Sequence, residues 1–273
     1  MPSIIKESFK ITNKYIVLAT PLILFSLIST IYLALSAGGK YIGLIIAIIA
    51  FFLMLCAFLA GWFGMLSICI KNPAEEEPND LIKHFVSGVG EYFLPVMGMI
   101  IISFFVGIVL FTASTILGNK FIGNPNIPVA ALQAALVSVE SMKAFLLSLS
   151  TEQLIKINLW NLLLFFVGAL SYFIIIFYPA ALFFKTKNPL KAFLYSQKDL
   201  FTRHFFKNLA LFLFIFVTYF VLSIFSTLGS TNMVLHFIFT LINFYFIVYA
   251  CVLIFNYYYS NFIKIGSRVD EIV

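Results

Sequence analysis

Residues 185–208 read KTKNPLKAFLYSQKDLFTRHFFKN, and this stretch is the most basic part of the chain, with six Lys and Arg against a single acid, Asp199. Asn188 followed by Pro189 predicts a helix start, because proline is tolerated where the first backbone N–H has no partner. Apolar residues then recur at helical spacing, and basic or polar residues fall mostly on the other side. The two sets are Leu190, Phe193, Leu194, Phe201 and Phe205, and Lys191, Lys198, Thr202 and Arg203. The stretch therefore predicts an amphipathic helix at a membrane surface.

The composition of the whole chain agrees with that location. The 273 residues are 62% hydrophobic and 10% charged, whereas a soluble globular domain is about 45–50% apolar and about 25% charged. A chain this apolar cannot hide its surface in one water-soluble core. The composition predicts a single integral membrane domain over residues 1–273 and argues against a soluble enzyme.

Six stretches reach the roughly 20 apolar residues that a helix needs to cross a bilayer. They are residues 15–36, 41–70, 92–117, 157–184, 209–228 and 233–259. Short Gly-containing connections predict that the first and second spans, and the fifth and sixth, form hairpins. Pro179 predicts a kink in the fourth span, while Pro21 and Pro95 are expected near the starts of the first and third, where proline costs least.

The positive-inside rule gives the orientation. Residues 1–14, 71–91, 185–208 and 260–273 hold 13 of the 17 Lys and Arg. Both termini and the loops 71–91 and 185–208 are therefore predicted to be cytoplasmic, at the bacterial inner membrane. A cleaved signal peptide ending near 34–36 is the competing interpretation of the N-terminus, but its apolar run is longer than the usual 7–15 residues.

A threefold repeat is one interpretation of the cytoplasmic segments. Residues 4–10, 81–87 and 190–196 share a pattern of apolar and basic residues, and each precedes a span. Each is expected to form a short amphipathic helix followed by a two-span hairpin. The expected N-caps are Ser3, Asp80 and Asn188.

The outer loop, residues 118–156, predicts structure of its own. Two prolines and two asparagines between 124 and 128 predict a turn, and apolar residues recur at helical spacing from Val129. Ser150 or Thr151 is expected to start another short turn, with Glu152 well placed for a helix N-terminus.

The sequence contains no recognisable catalytic constellation. Its three histidines are far apart, its three cysteines lack metal-ligand spacing, and the spans hold no Asp, Glu, Lys or Arg in their centres. We therefore predict no catalytic residue, no metal and no cofactor. Intramembrane charges are the usual sign of ion coupling, so their absence argues against an ion-driven pump. No nucleic-acid-binding module is present.

Two features within the spans are a stripe of small residues in the second and an asparagine in the last. The second span carries a stripe that includes Ala57, Gly61 and Gly64, and small residues at this spacing let helices approach closely. We expect this span to be central to the bundle, with a cavity beside it as the alternative. Asn243, near the middle of the last span, is expected to form an interhelical hydrogen bond or to line that cavity.

The basic stretch has one main interpretation. Lys191, Lys198, Arg203 and Lys207 are predicted to contact anionic lipid headgroups, at about 1 kcal/mol for each residue near the surface. The acidic run at 75–77 is either a solvated loop or an ion-pair partner for this basic helix.

Several motifs carry a resemblance to a known family. They are Tyr178-Pro179-Ala180-Ala181-Leu182, Asn188-Pro189-Leu190-Lys191-Ala192-Phe193, Ser196, Phe205-Phe206, Gly64-Met65, Asp80-Leu81-Ile82 and Phe85. This arrangement resembles bacterial six-span proteins similar to the membrane domain of some glycerophosphodiester phosphodiesterases. The resemblance implies a six-helix membrane domain. The sequence lacks the phosphodiesterase domain, so the family's activity does not carry over.

The predicted fold class is thus an all-α polytopic membrane protein with six transmembrane helices, cytoplasmic amphipathic interfacial helices and a helical outer loop. The expected function is non-enzymatic, as a scaffold or as a protein that interacts with membrane lipids, partner membrane proteins or further copies of itself. A transporter for a neutral or lipidic substrate is the alternative, and a membrane enzyme ranks third.

Overall fold

The computed structural model describes residues 1–36, 41–73, 77–78, 80–135, 137–201, 204–229 and 232–264. These residues form α-helices and no β-strand. The helices are α1 (Pro2–Lys14), α2 (Ala19–Ser36), α3 (Tyr41–Lys71), α4 (Lys83–Phe121), α5 (Val129–Ala135), α6 (Val139–Ser148), α7 (Thr151–Ile175), α8 (Tyr178–Phe184), α9 (Pro189–Leu200), α10 (Phe205–Gly229) and α11 (Met233–Tyr258).

Within the described residues, six helical segments are long and apolar enough to cross a membrane. They are Ile16–Leu35, Gly43–Lys71, Asp80–Phe121, Thr151–Phe184, Phe205–Thr227 and Met233–Ile263. The predicted all-α membrane fold with six spans is confirmed. Helix α2 packs on α3 and α10 packs on α11, as expected for the two hairpins. Residues 37–40 and 230–231, which were predicted to belong to the connecting turns, lie outside the described residues.

The chain packs as two compact units, Met1–Ser103 with Ile174–Val273, and Phe104–Phe173. In the first unit, α11 is the central helix, with contacts to α1, α2, α3, α8 and α10. Its C-terminal half, from Phe246 to Tyr258, is largely buried. The second span is central only in part, because burial in α3 begins at Cys56 and runs to Ile70. The first half of α3 exposes large apolar side chains, which suits contact with lipid.

The third span differs from its prediction. Residues 83–121 form one continuous helix, so the second of the segments predicted to be cytoplasmic is a single 3₁₀ turn, Asp80–Ile82, followed by the span itself. Pro95 therefore lies inside α4 and not near its start, which corrects the expectation. Transmembrane helices tolerate such prolines because neighbouring groups satisfy the freed carbonyl.

The other two segments predicted to be cytoplasmic follow the expected pattern more closely. Helix α1 precedes the α2–α3 hairpin, and α9 precedes the α10–α11 hairpin. Asn188 caps α9 as predicted, with its side chain accepting a hydrogen bond from the Lys191 N–H at 3.0 Å. Ser3 is not an N-cap, because α1 already begins at Pro2. Proline is tolerated in a first helical turn, so the helix begins at Pro2, two residues earlier than a Ser3 cap would place its start.

The fourth span breaks where its proline predicts. Helix α7 ends at Ile175, α8 begins at Tyr178, and Pro179 lies in the first turn of α8. The break matters because α8 leads directly into the basic stretch.

The second unit contains the stretch that was predicted to be a helical outer loop. The expected turn is present, with the Asn126 N–H donating to the Asn124 side chain at 2.9 Å. The amphipathic segment is two helices, α5 and α6, with Ser138 capping the second. Ser150 starts a helix, as predicted, since its hydroxyl accepts from the Gln153 N–H at 3.2 Å. That helix is α7, so the expected separate turn is the beginning of the fourth span.

Candidate functional site

Helix α9 is held at its N-terminal end by α8. The Tyr178 hydroxyl donates a hydrogen bond to the Pro189 carbonyl at 3.0 Å, and the Tyr178 ring packs edge-on against Phe193. Further along, the Gln197 amide donates to the carbonyl of Ile174 at 2.8 Å. This last bond reaches the helix break beside Pro179, where carbonyls have lost their intrahelical partners.

The inner side of α9 carries a buried charge. Asp199 is 8% exposed, and its Oδ2 accepts a hydrogen bond from Lys185 Nζ at 2.7 Å and another from the Tyr258 hydroxyl. Lys185 also lies over the rings of Tyr195 and Tyr258, at 5.6 and 5.4 Å from their centroids. A buried carboxylate is tolerated when it is paired and hydrogen-bonded in this way. The contacts join the chain before α9 to the end of α11.

A second polar group closes the C-terminal end of α9. Asn208, fully buried at the start of α10, donates hydrogen bonds from Nδ2 to the carbonyls of Asp199 at 3.1 Å and Leu200 at 2.9 Å. These carbonyls belong to the last turn of α9, which has no intrahelical donors left. The Tyr257 hydroxyl in turn donates to Asn208 Oδ1 at 2.8 Å. Tyr258 therefore holds the Asp199 side chain, and Tyr257 holds Asn208 against the C-terminal end of α9.

The outer side of α9 is apolar and basic. Leu190 and Leu194 are 65% and 66% exposed, and Phe201 just beyond the helix is exposed as well. At 100° per residue these three lie on one stripe, with Lys191 and Lys198 beside it. Both lysines are exposed. The lysines therefore adjoin the exposed apolar stripe, and the side opposite Leu190 is the buried one that holds Asp199.

This arrangement corrects part of the predicted helix. Phe205 belongs to α10 and not to α9, because the helix ends at Leu200. Lys207 is exposed in the first turn of α10. Thr202 and Arg203 lie outside the described residues, and so do residues 75 and 76 of the acidic run. Among the described residues, an ion pair at 2.8 Å between Lys187 Nζ and Glu91 joins the two stretches that were predicted to be cytoplasmic, 71–91 and 185–208.

The small residues of the second span serve two purposes. A Cβ built on Gly64 would lie 3.0 Å from the Cα of Gly88, and one on Gly88 would lie 2.9 Å from the Ala60 carbonyl. The backbones of α3 and α4 thus cross in direct contact, as the stripe predicts. A Cβ on Gly61 would meet the ring of Phe85 at 2.7 Å. Ala57 instead lines an apolar groove.

Asn243 lies in the N-terminal half of α11, whereas Tyr257 and Tyr258, which contact Asn208 and Asp199, lie at the C-terminal end of this helix. Its Oδ1 is buried and has no hydrogen-bond partner among the described residues, so this oxygen does not form the expected interhelical bond. The Ser29 hydroxyl in α2 is in the same state.

Metal binding has no support in the described residues, where no three His, Cys, Asp or Glu side chains lie close enough to share an ion. The three cysteines are free thiols. Comparison of the chain with protein-family models, with curated proteins and with solved structures finds no match.

The residues that sequence reasoning missed are Asp199, Asn208, Tyr257 and Tyr258. Asp199 was visible as the single acid in a basic stretch. The other three were hidden because polar residues at span ends are common, and their convergence depends on how α10 and α11 pack.

Proposed function

We propose that this chain is a non-enzymatic, multi-pass protein of the bacterial inner membrane that binds anionic phospholipid headgroups through α9. Both termini lie in the cytoplasm. The proposal includes kinship with the six-span membrane domains that its motifs resemble. Partner membrane proteins or further copies of the chain would then meet it within the bilayer.

One observation carries the proposal, which is the two-sided construction of α9. Its inner side is fixed to the protein by Asp199 and Asn208, and its outer side presents Leu190 and Leu194 next to exposed lysines. A free linker would not need a buried ion pair on one side. Exposed leucines beside lysines match the boundary between acyl chains and headgroups.

Lipid selectivity tests the proposal. The protein is reconstituted in phosphatidylcholine vesicles with spin-labelled phosphatidylglycerol or phosphatidylcholine, and the motionally restricted fraction is measured. Replacing Lys191 and Lys198 with Gln removes two charges, at about 1 kcal/mol each, so preference for phosphatidylglycerol at sites touching α9 falls about 30-fold. Because surface charges are screened over about 3 Å in 1 M salt, high salt abolishes the preference in the parent protein.

A charge-matched variant controls for net charge. Lys120→Gln with Lys143→Gln removes two exposed lysines from the other unit. This variant should keep the preference for phosphatidylglycerol. Equal loss in both double variants, or no preference in the parent, would overturn the proposal.

Transport of a neutral or lipidic substrate is the second candidate. The observation that favours it is the buried, unpartnered Oδ1 of Asn243 inside a span, since intramembrane polar groups without partners are costly. Asn243→Leu should abolish substrate flux across vesicles if the amide lines a path. It should leave the protein unchanged or more stable if the amide serves no path.

A further inference from the structure

Helices α2 and α3 and the first turns of α4 enclose a groove of about 490 Å³ within the first unit. Leu24 and Ile28 line it from α2, Ala57 and Phe58 from α3, and Val86 from α4. Apart from Thr20, the described residues that line it are all apolar. The part of a ligand that occupies this groove is therefore expected to be a hydrocarbon chain.

Two features of α3 create the groove. Gly61 has no side chain, so the ring of Phe85 lies against α3 where a Cβ would come within 2.7 Å of it. Ala57, one turn earlier, leaves the adjacent space open, and Phe58 stacks on Phe25 with 4.2 Å between ring centroids. The stacked rings of Phe25 and Phe58 thus form part of the wall of the groove.

The groove is open towards the bilayer. Leu24 and Ile28 are both about half exposed although they line it, and Leu27 and Ile31 on the same helix are exposed too. Helices α2 and α3 contribute two of the segments that are apolar enough to cross a membrane. The groove is therefore continuous with the surface that faces hydrocarbon, where acyl chains are the material at hand.

We infer that this groove is a binding site for one acyl chain of a membrane phospholipid. The exposed ion pair between Lys83 and Asp80 marks its polar end, one residue from Ile82, which lines the groove. A phospholipid with one chain in the groove would place its phosphate near the ammonium of Lys83, whose side chain is 78% exposed. The site deepens the proposed function and rests on it only in requiring these helices to lie in a bilayer.

Trp62 provides a local probe of the groove. It is 3% exposed, and its ring stacks on Phe58 with centroids 5.6 Å apart. The chain has two tryptophans, so Trp160→Phe leaves Trp62 alone. This single-tryptophan protein is reconstituted in phosphatidylcholine with brominated acyl chains, which quench indole fluorescence at short range. Strong quenching of the buried Trp62 is expected, because a chain in the groove reaches Phe58 while bulk lipid does not reach the indole.

Two alanines of α3 give a matched pair of variants. Ala57→Leu fills the groove, whereas Ala50→Leu makes the same change seven residues earlier, at an exposed position. Quenching should fall several-fold in Ala57→Leu and persist in Ala50→Leu. Val86→Phe narrows the groove from its rim, at a side chain that is 74% exposed and outside the core, and should also reduce quenching. This variant tests the groove even if Ala57→Leu fails to fold.

The bound species is identified by native mass spectrometry of the detergent-purified protein. One retained phospholipid in the parent and in Ala50→Leu, lost in Val86→Phe, supports the inference. A second copy of the chain in place of lipid, an unquenched parent, or quenching that both groove variants leave intact would overturn it. Loss of phosphatidylglycerol preference on replacing Lys191 and Lys198, with Trp62 quenching intact, shows that the acyl site and the α9 face are separate.

Discussion

Asp199→Asn should destabilise the protein because it removes a buried charge from a fixed partner. The substitution keeps the shape of the side chain and an acceptor for the Tyr258 hydroxyl, but it leaves the Lys185 ammonium without its carboxylate. The paired side chains of Lys185 and Asp199 are 23% and 11% exposed, so the pair is mostly out of water.

The size of the effect follows from that burial. Removing one partner of a buried ion pair costs about 3–5 kcal/mol. Some water reaches Lys185, which places the loss at the lower end, about 3 kcal/mol. A change of 1 kcal/mol shifts Tm by about 2–4 °C in a chain of 150–250 residues, so a fall of about 6–12 °C is expected. Thermal unfolding in detergent, followed by intrinsic fluorescence, measures it.

Asp80→Asn is the matched control. It removes a carboxylate from the ion pair with Lys83, whose side chains are 49% and 78% exposed. Exposed pairs contribute about 0–1 kcal/mol, so Tm should hardly move. Combining Asp199→Asn with Lys185→Met should recover at least about 1.5 kcal/mol, because the uncompensated charge is gone. A shift no larger than that of Asp80→Asn, or strict additivity with Lys185→Met, would refute the reasoning.

Three further predictions test the packing and the orientation. Gly88→Ala should lower the free energy of unfolding by about 1–3 kcal/mol, since its Cβ would lie 2.9 Å from a backbone carbonyl. Gly90→Ala is the control, because its Cβ would meet nothing within 4 Å, and it should be neutral or stabilising by up to about 1 kcal/mol. Equal losses of stability in the two variants would argue against the close crossing of α3 and α4. Tyr257→Phe leaves the buried Oδ1 of Asn208 without its hydrogen-bond donor. The free energy of unfolding, measured with denaturant, should therefore fall by about 1–3 kcal/mol. An unchanged midpoint would show that this bond does not stabilise the end of α9. In intact cells, a membrane-impermeant thiol reagent should label Lys143→Cys but not Leu194→Cys. Labelling of Leu194→Cys from outside would contradict the predicted orientation.

Helix α9 has features that local sequence patterns predict and others that they do not. The Asn-Pro signal fixed its start, because capping and proline chemistry are local. The stripe of Leu190 and Leu194 was also predictable, because it depends only on the helical period. The burial of Asp199 on the opposite side of α9 was not predicted, since a single aspartate in a basic stretch gives no sign of being buried.

The third span shows a different limit. Pro95 and the charged residues before it suggested a boundary between a surface helix and a span. The structure continues one helix through both, and Gly64 and Gly88 let this helix lie directly on α3. That contact forms between segments distant in the chain, so no local pattern near Pro95 could report it.

By itself, the sequence determined that this is an all-α membrane protein with six spans, because hydrophobic length and helical period are properties of each segment alone. It also determined the stripe that α9 turns outward. Only the tertiary structure decided that Asp199 meets Lys185 and Tyr258, that Asn208 closes the end of α9, and that Ala57 borders an open groove while Gly61 is filled by Phe85. These contacts form between different segments of the chain, and their energies depend on which helix faces pack together in space.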